Sequence, residues 1–357
     1  MSAAADAATA AEPAGPQRAP RAVPLQLQVL PRGATLDFQP GENLLALLLR
    51  EGIPISYSCM AGRCGTCRCR LAVPGQAGEA GEEGGDGTPR SVLACQTRLT
   101  AGGRVEIEEP DEITVHPARS VRARVVALEA PTHDVRIVRL EPSKPLSFSP
   151  GQYASVQFAD APARPFSMAS LPGAAWLEFH IRLVPGGQAS GVVAKQLRLG
   201  DAVRVSGPLG SAYLRTAHTG PVLCVAGGTG LAPVLSILGA LRARGSAAPV
   251  HLYFGVRSAQ DVYGLEALRQ LASGWPALQT RVVVAQGPAP APHRTGLLPD
   301  LLAAELGDGT GCTGWRAYVC GAPGMVDAVT AVLRAKGIAE RHVHADAFVS
   351  AAPAEGA

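Results

Sequence analysis

The stretch CMAGRCGTC, residues Cys59–Cys67, decides how the rest of this 357-residue chain is interpreted. Its three cysteines have the spacing C-x4-C-x2-C, and a fourth, Cys95, follows 28 residues later. This is the plant-type arrangement in which four thiolates hold a 2Fe-2S cluster. Glycines between the ligands allow the backbone to wrap tightly. A zinc ribbon usually presents two C-x2-C pairs, whereas only Cys64 and Cys67 form one here, so the spacing favours the iron–sulfur cluster.

Length and composition exclude several classes of protein. The chain is long enough for two or three domains, and its net charge of +3 gives no electrostatic reason to expect nucleic-acid binding. The longest apolar runs, Leu44–Leu49 and Val222–Ala226, are far too short to span a bilayer. Eight cysteines without an export signal favour a reducing compartment, so we expect a soluble, cytoplasmic protein. Cys69, Cys224 and Cys312 lack ligand spacing and are interpreted as ordinary buried residues.

The amino-terminal part of the chain predicts a compact domain around the cluster loop. Asn43 can cap a helix over Leu44–Leu49, and Gly52 ends it. Alternating apolar patterns predict strands at Leu25–Val29, up to Phe38, at Arg68–Val73 and at Val105–Ile107. Strands around one helix and a metal loop are typical of a β-grasp ferredoxin, which we predict over residues 24–111. Residues 1–23, rich in Ala, Pro and Gly, predict a disordered tail.

A β-rich stretch follows a predicted linker at residues 112–118. Its strand-like runs are separated by Pro and Gly turns, and they are Val121–Leu128, Val135–Leu140, Tyr153–Phe158, Trp176–Leu183 and Ala202–Ser206. Only one helical segment, Val192–Arg198, interrupts them. This pattern predicts a small antiparallel barrel over residues 119–216.

Two segments of this barrel have the chemistry of a flavin site. In Arg164–Ser167, which follows a strand, an arginine can neutralise a pyrophosphate, an aromatic ring can lie against an isoalloxazine and a hydroxyl can bond its N5. In Arg182–Ser190, glycines and a serine precede the predicted helix, whose N–H groups and dipole favour a phosphate. An exposed Arg-Pro turn and a capped helix without a ligand are the alternatives.

The pattern changes in the last third of the chain. A continuous apolar strand, Val222–Ala226, leads through a glycine turn, Gly227–Gly230, into a helix. The same alternation recurs at His251–Gly255, Arg281–Ala285 and Arg316–Cys320. It predicts a parallel sheet with crossover helices over residues 217–351, before a short tail at 352–357. A second glycine turn, Cys320–Met325, is expected at the same carboxyl edge of the sheet, which predicts a dinucleotide site there.

Taken together, these residues resemble the ferredoxin reductase family that carries a fused plant-type 2Fe-2S domain and supplies electrons to bacterial ring-hydroxylating dioxygenases and other oxygenases. The match runs from Leu25 to Phe348. It is also carried by Ser56–Cys59, Asp111–Ile113, His116–Arg119, Pro131–Asp134, Gly207–Leu214 and Gly255–Ser258. The resemblance implies a β-grasp ferredoxin domain, a six-stranded antiparallel β-barrel that binds FAD, and an α/β domain with a parallel sheet that binds NAD(P)H.

The resemblance also implies a role for each candidate residue. The iron ligands are Cys59, Cys64, Cys67 and Cys95. Catalytic roles fall on Ser167, Cys320 and Asp346. FAD contacts fall on Arg164, Phe166, Ser167, Arg182, Val184, Gly187, Ser190 and Phe348. Nucleotide contacts fall on Gly227, Gly228, Thr229, Gly230, Arg257, Cys320, Gly321 and Met325. Phe166 replaces the family's usual tyrosine, and Asp346 replaces a frequent glutamate.

The implied reaction passes electrons from NAD(P)H to FAD near Ser167, then to the cluster, and then to a separate Rieske-type ferredoxin of an aromatic-ring dioxygenase system. A flavin is needed because a nicotinamide gives two electrons as hydride and the cluster accepts one at a time. A monooxygenase, a two-component dioxygenase or a deoxysugar dehydratase is the alternative acceptor. Arg257 follows Gly255 and no carboxylate appears before Asp261, so NADH is expected to work and NADPH to be tolerated.

Basic residues flank the cluster ligands in the sequence. Arg63, Arg68 and Arg70 could guide an acidic ferredoxin toward the cluster, and a solvated basic rim is the alternative. We expect neither a nucleic acid nor a membrane as a partner, and we expect a monomer.

Overall fold

The computed structural model describes residues 25–57, 62, 66–74, 89–107, 114–307 and 311–348. Two predicted cluster ligands, Cys59 and Cys64, lie outside the described residues, as do both predicted tails. Within the described part of the chain, no helix is long and apolar enough to cross a membrane.

The described part of the amino-terminal domain has a five-stranded sheet, a two-stranded sheet and a single α-helix. Its elements are β1 (Leu25–Leu30), β2 (Ala34–Phe38), β3 (Glu42–Asn43), α1 (Leu44–Arg50), β4 (Arg68–Ala72), β5 (Arg90–Leu93), β6 (Arg98–Leu99) and β7 (Gly103–Glu106). Five strands form one sheet in the order β2-β1-β7-β4-β5, with β1 and β7 parallel, and β3 and β6 form the two-stranded sheet. The Asn43 side chain accepts the Ala46 N–H at 3.1 Å, which confirms the predicted cap. Leu44, Leu45, Leu47 and Leu48 are buried in this core.

The middle of the chain forms a nearly closed antiparallel barrel. Its elements are β8 (Arg119–Glu129), β9 (Val135–Pro142), β10 (Tyr153–Phe158), β11 (Arg164–Ser167), β12 (Leu177–Arg182), α2 (Gln188–Lys195) and β13 (Ala202–Leu209). The strand order is β11-β10-β13-β8-β9-β12, and a bridge between Met168 and Phe179 connects its two ends. The segment Arg164–Ser167, which the sequence places just after a strand, forms a strand itself, β11. It brings the number of barrel strands to six.

The predicted boundaries of the barrel helix are wrong. The helix occupies Gln188–Lys195 instead of Val192–Arg198. Gly187, in an extended conformation, precedes its first turn, so the helix begins immediately after the glycine turn. The helix ends at Lys195, and Arg198 lies in a separate turn, where its N–H donates to Asp201 at 2.8 Å.

The last part of the chain is a parallel sheet with helices between its strands. Its elements are β14 (Val222–Gly227), α3 (Leu231–Ala243), β15 (Val250–Val256), α4 (Leu265–Ala272), β16 (Leu278–Val284), β17 (Arg294–Thr295), α5 (Leu298–Glu305), β18 (Arg316–Gly321), α6 (Pro323–Ala335) and β19 (Val343–Ala347). The order is β17-β16-β15-β14-β18-β19, with every pairing parallel. The order reverses between β14 and β18, and in such sheets the crevice for a ligand lies at that point.

Candidate functional site

Two of the four predicted cluster ligands are described, and they lie together. The backbone N–H of Cys95 donates to the Cys67 sulfur at 3.4 Å, and the Gln96 side-chain amide donates to the Cys95 sulfur at 3.5 Å. Asn43, the cap of α1, also donates to the Cys95 carbonyl at 3.0 Å. N–H donors aimed at both sulfurs are what the sulfurs of an iron–sulfur cluster accept, so the arrangement fits such a cluster.

The backbone at Gly62 explains why the loop needs glycine. Its φ is +74°, a left-handed conformation that L side chains rarely adopt. A Cβ there would lie 2.8 Å from Cγ of Gln96, the residue that bonds the Cys95 sulfur. The loop therefore approaches the segment of the fourth ligand closely, as a cluster shared by both segments requires.

The cluster loop is hydrogen-bonded to the barrel. Thr66, next to the predicted ligand Cys67, accepts the backbone N–H of Gly210 at 2.9 Å, and this contact is buried. Nearby, the Ser56 hydroxyl and the Tyr213 hydroxyl lie 2.7 Å apart. We call these four residues, Ser56, Thr66, Gly210 and Tyr213, the cluster–barrel junction.

Tyr213 connects the junction to the rest of the molecule. Its hydroxyl also accepts the backbone N–H of Thr114, and its ring lies 3.9 Å from the guanidinium carbon of Arg215. Arg215 is fully buried, and its backbone N–H donates to the Tyr318 hydroxyl of β18 at 2.9 Å. One tyrosine thus contacts the amino-terminal domain and the segment leading into the barrel, and through Arg215 it is linked to the parallel sheet. Sequence reasoning did not assign it a role.

The predicted flavin residues of β11 lie at the edge that faces the parallel sheet. Ser167 is buried, and its hydroxyl donates to the Asp346 carboxylate of β19 at 3.4 Å. Arg164 is half-buried and donates to the adjacent Ala163 carbonyl at 3.1 Å. The Phe166 ring packs 6.0 Å from the ring of core residue Phe158. Arg164, Phe166 and Ser167 therefore lie on one strand, where they would be able to hold the predicted flavin.

The turn before α2 is shaped by Ser190. Its hydroxyl accepts the Val184 N–H at 3.1 Å and lies 3.3 Å from the Gly187 carbonyl. A Cβ on Gly187 would lie 2.5 Å from this hydroxyl oxygen, so the turn requires glycine. The Ser190 hydroxyl is already bonded to backbone groups of the turn. The backbone N–H groups at the start of α2 are therefore the donors that can bind a phosphate. Val184 is exposed beside it.

The two predicted nucleotide turns approach each other at the reversal point of the sheet. A Cβ on Gly230 would lie 2.0 Å from the Cys320 carbonyl oxygen. Gly321 has φ +152°, and a Cβ there would lie 2.5 Å from Cε of Met325 and 3.2 Å from Gly227. A side chain is therefore excluded at Gly230 and at Gly321, where the two turns approach closely, as the backbone cradle of a dinucleotide site requires.

The three residues with predicted catalytic roles are brought together. Cys320 is fully buried and is the register partner of Asp346 on the adjacent strand, while Ser167 bonds the same carboxyl group. Burial raises the pKa of Asp346 to about 6, although the Ser167 hydrogen bond acts in the opposite direction. Burial also raises the pKa of the Cys320 thiol well above its usual value, so that thiol stays protonated. Asp346 can therefore take up or release a proton near neutral pH. Phe348 follows, with its N–H bonded to the Gly321 carbonyl at 2.8 Å.

A group of charged side chains around Asp134 also lies between the barrel and the parallel sheet, and sequence reasoning missed it. Asp134 of the barrel accepts hydrogen bonds from Arg182 at 2.9 Å and from Arg257 at 2.7 Å. Arg257 also bonds Asp261 at 3.1 Å. The segment containing Asp134 carried part of the resemblance, but its charge partner Arg257 is 123 residues away in the sequence.

Comparison with known families agrees with this three-part architecture. Residues 27–100 match the 2Fe-2S iron-sulfur cluster binding domain, 122–213 the oxidoreductase FAD-binding domain and 224–331 the oxidoreductase NAD-binding domain.

The buried positions of Cys69, Cys224 and Cys312 agree with their predicted structural role.

Related proteins match over nearly the whole chain. The reductase component of the naphthalene 1,2-dioxygenase/salicylate 5-hydroxylase systems of Ralstonia sp is 52% identical, covering 91% of this chain and 98% of the relative. The corresponding naphthalene 1,2-dioxygenase component of Pseudomonas putida is 49% identical, covering 91% and 98%. The solved structure of an Amycolatopsis cytochrome P-450 reductase is 32% identical with a TM-score of 0.68, covering 91% and 98%. The chain therefore belongs to the family of ferredoxin–NAD(P)+ reductases that join 2Fe-2S, FAD-binding and NAD-binding domains in one polypeptide.

Proposed function

We propose that this chain is the reductase component of an aromatic-ring dioxygenase system. It takes electrons from NAD(P)H and delivers them, through FAD and the 2Fe-2S cluster, to a separate Rieske-type ferredoxin. The two relatives near 50% identity, which carry the name of ferredoxin–NAD(P)+ reductase components of naphthalene dioxygenase systems, support this acceptor. Among the described residues, the buried cysteines Cys69, Cys224, Cys312 and Cys320 form no disulfide. This suits a reducing cytoplasm, where we place the reaction, carried out by a monomer.

The observation that carries this proposal is the contact between the cluster loop and the barrel. Thr66 adjoins a cluster ligand and bonds Gly210, which follows the last barrel strand, β13. A cluster held by Cys67 and Cys95 would therefore be joined to the barrel through this buried hydrogen bond. A cluster domain without a redox role would not need its metal loop at this interface.

The chain's own residues provide the binding and orientation for this transfer. The glycine turns at Gly230 and Gly321 admit the nucleotide backbone, while Arg164 and the start of α2 offer positive charge to a flavin pyrophosphate. Ser167 and Asp346 meet where the two domains face each other, so they can hold a proton beside the ring. A bound flavin supplies the step from two electrons to one.

A second acceptor is favoured by one observation. The related Amycolatopsis structure is a cytochrome P-450 reductase, so a reductase of this architecture can serve a monooxygenase. Purified candidate acceptors separate the two proposals. Faster NADH-dependent reduction of a Rieske-type ferredoxin than of a monooxygenase supports the dioxygenase system, and the reverse order supports the second acceptor.

Replacement of Cys95 by serine tests the order of electron flow. The native protein should be red-brown and contain FAD and about two irons. Cys95→Ser should lose the iron, its visible absorbance and its electron paramagnetic resonance signal, and with them the reduction of cytochrome c from NADH. Reduction of ferricyanide, which can take electrons directly from the flavin, should remain.

Cys312→Ala is the matched control, because Cys312 is a buried thiol in the carboxyl-terminal domain. This variant should keep its iron and both activities. Equal loss of cytochrome c and ferricyanide reduction in Cys95→Ser, with FAD still bound, would contradict the proposed order.

A further inference from the structure

A cluster of four charged residues connects the barrel to the parallel sheet. We call it the interdomain ion network, and its members are Asp134, Arg182, Arg257 and Asp261. One oxygen of Asp134 accepts from Nη1 of Arg182 and from Nη2 of Arg257. Arg257 Nη2 also donates to Asp261, beside which His133 lies at 3.9 Å. Asp134 comes from the turn that precedes β9, so the network joins two different domains.

The network lies where a dinucleotide-binding sheet usually recognises the adenosine ribose. Arg257 directly follows β15, the second strand of the parallel sheet by chain order. At this position a carboxylate hydrogen-bonds the ribose 2′-hydroxyl of NADH, whereas an arginine accommodates the 2′-phosphate of NADPH. The local sequence offers only the arginine. The fold adds a carboxylate, Asp134, from the other domain.

The charges around Arg257 disfavour a phosphate. Asp261 is 5% exposed, and although burial alone would raise its pKa, hydrogen bonds from Ser258 and Arg257 lower it, so this carboxylate stays ionised. Arg257 thus already faces two carboxylates at 2.7 and 3.1 Å. A 2′-phosphate at this guanidinium would bring further negative charge beside both, and like charges at such distances repel strongly. A 2′-hydroxyl can instead donate to a carboxylate oxygen.

Of the two carboxylates, Asp134 is the one available to a ligand. Both oxygens of Asp261 are already engaged, since Oδ2 accepts the Ser258 N–H and hydroxyl and Oδ1 accepts from Arg257. Oδ1 of Asp134 accepts one hydrogen bond, from the Thr132 hydroxyl at 3.2 Å, which leaves a second lone pair for a ligand. The Asp134 side chain is also 16% exposed, against 4% for Asp261.

We propose that Asp134 selects NADH over NADPH in this protein, by holding Arg257 and placing a barrel carboxylate at the ribose position of the neighbouring domain. This inference rests on the proposed function only in taking NAD(P)H as the ligand. Selection then depends on the two domains together, because neither carries both halves of the Asp134–Arg257 pair.

Adenine nucleotides test the proposal without enzyme turnover. Calorimetry on the FAD-loaded full-length protein would compare 5′-ADP with 2′,5′-ADP, which differ in the 2′-phosphate alone. The native protein should bind 5′-ADP at least tenfold more tightly. Asp134→Asn should raise the affinity for 2′,5′-ADP about tenfold, equivalent to about 1.4 kcal/mol, and change that for 5′-ADP by less than about threefold. In Asp134→Asn with Arg257→Ala, the gain should disappear.

The control is Asp160→Asn, which removes an exposed carboxylate from another turn of the barrel. It should leave the ratio of the two affinities unchanged. Because Asp134 also bonds Arg182, FAD content is measured for each variant, and Asp134→Ser serves if Asp134→Asn does not fold. An unchanged ratio in a folded, FAD-loaded Asp134 variant overturns the proposal, as does equal native affinity for both nucleotides. Failure to reduce any ferredoxin, with the ratios as expected, would overturn the proposed function alone.

Discussion

Single residues determine whether the two nucleotide turns can approach each other. A Cβ on Gly230 would lie 2.0 Å from the Cys320 carbonyl oxygen, so Gly230→Ala must push the turns apart. We expect this overpacking to lower the free energy of unfolding by about 1–3 kcal/mol. We also expect it to weaken 5′-ADP binding by about tenfold or more, as measured by calorimetry.

Gly324→Ala is the matched control for that change. Gly324 lies in the first turn of α6, has no atom within 4 Å of a built Cβ and belongs to the second nucleotide turn. Its replacement should alter the free energy of unfolding by less than about 0.5 kcal/mol and leave 5′-ADP binding unchanged. Similar losses in both variants would show that the close approach of the turns is not what binding depends on.

At this scale, sequence predicts residues whose role follows from local spacing. The glycines of Gly227–Gly230 follow an apolar strand, and Cys67 stands at ligand spacing from Cys64, so short patterns contain both signals. Asp134 could not be predicted in the same way. Its function depends on a partner 123 residues away, and nothing in the turn itself indicates which charge it meets.

At the scale of elements, the position of the cluster domain depends on the cluster–barrel junction. Tyr213→Phe removes the hydroxyl that contacts Ser56 and Thr114 but keeps the ring against Arg215. The buried Ser56 hydroxyl loses this hydrogen bond, which costs about 1–3 kcal/mol. We expect cluster reduction after NADH mixing to slow about tenfold in stopped-flow measurements, while flavin reduction keeps its rate. Hydrogen exchange should increase in the amino-terminal sheet, where the domain is held less firmly.

Tyr253→Phe is the control for the junction. Tyr253 is equally buried, and its hydroxyl bonds Glu305 at 3.0 Å within the carboxyl-terminal domain. This variant should leave cluster reduction unchanged. If both variants slowed it equally, or if Tyr213→Phe slowed flavin reduction instead, the junction would not be the element that positions the cluster.

Sequence predicts most elements of this fold, because each has its own periodicity or cap. Asn43 and the leucines after it predict α1 correctly. The boundaries of α2 were wrong because the valines at 192 and 193 drew the prediction toward the apolar part of the helix. The helix begins where the glycine turn ends, and its polar first residue, Gln188, gave no apolar signal.

For the whole molecule, the proposed path brings electrons in at the carboxyl edge of the parallel sheet and out from the amino-terminal domain. Arg68, directly after ligand Cys67, and Arg70 are exposed on β4, and Arg70 lies 3.9 Å from Glu106. If an acidic ferredoxin docks there, reversal of both charges, Arg68→Glu with Arg70→Glu, should lower kcat/KM for the ferredoxin about tenfold at low salt. The loss should shrink as salt screens the charges. Ferricyanide reduction should be unchanged.

The control reverses two arginines on the barrel, Arg122 and Arg204, which are exposed and lie opposite each other on β8 and β13. This variant has the same change in net charge and should reduce the ferredoxin at the native rate. Equal losses in the two variants would mean that only net charge matters, and no loss in either would exclude docking at Arg68 and Arg70.

The shared oxygen of Asp134 has a thermodynamic consequence. Arg182, a predicted FAD contact, and Arg257, a predicted nucleotide contact, donate to the same atom. A ligand that draws one guanidinium away therefore changes the charge that faces the other. Linkage requires such an influence to be reciprocal: if nucleotide binding tightens or loosens FAD by some factor, FAD changes nucleotide affinity by that same factor. One carboxylate thus makes the occupancy of the two sites a single coupled equilibrium.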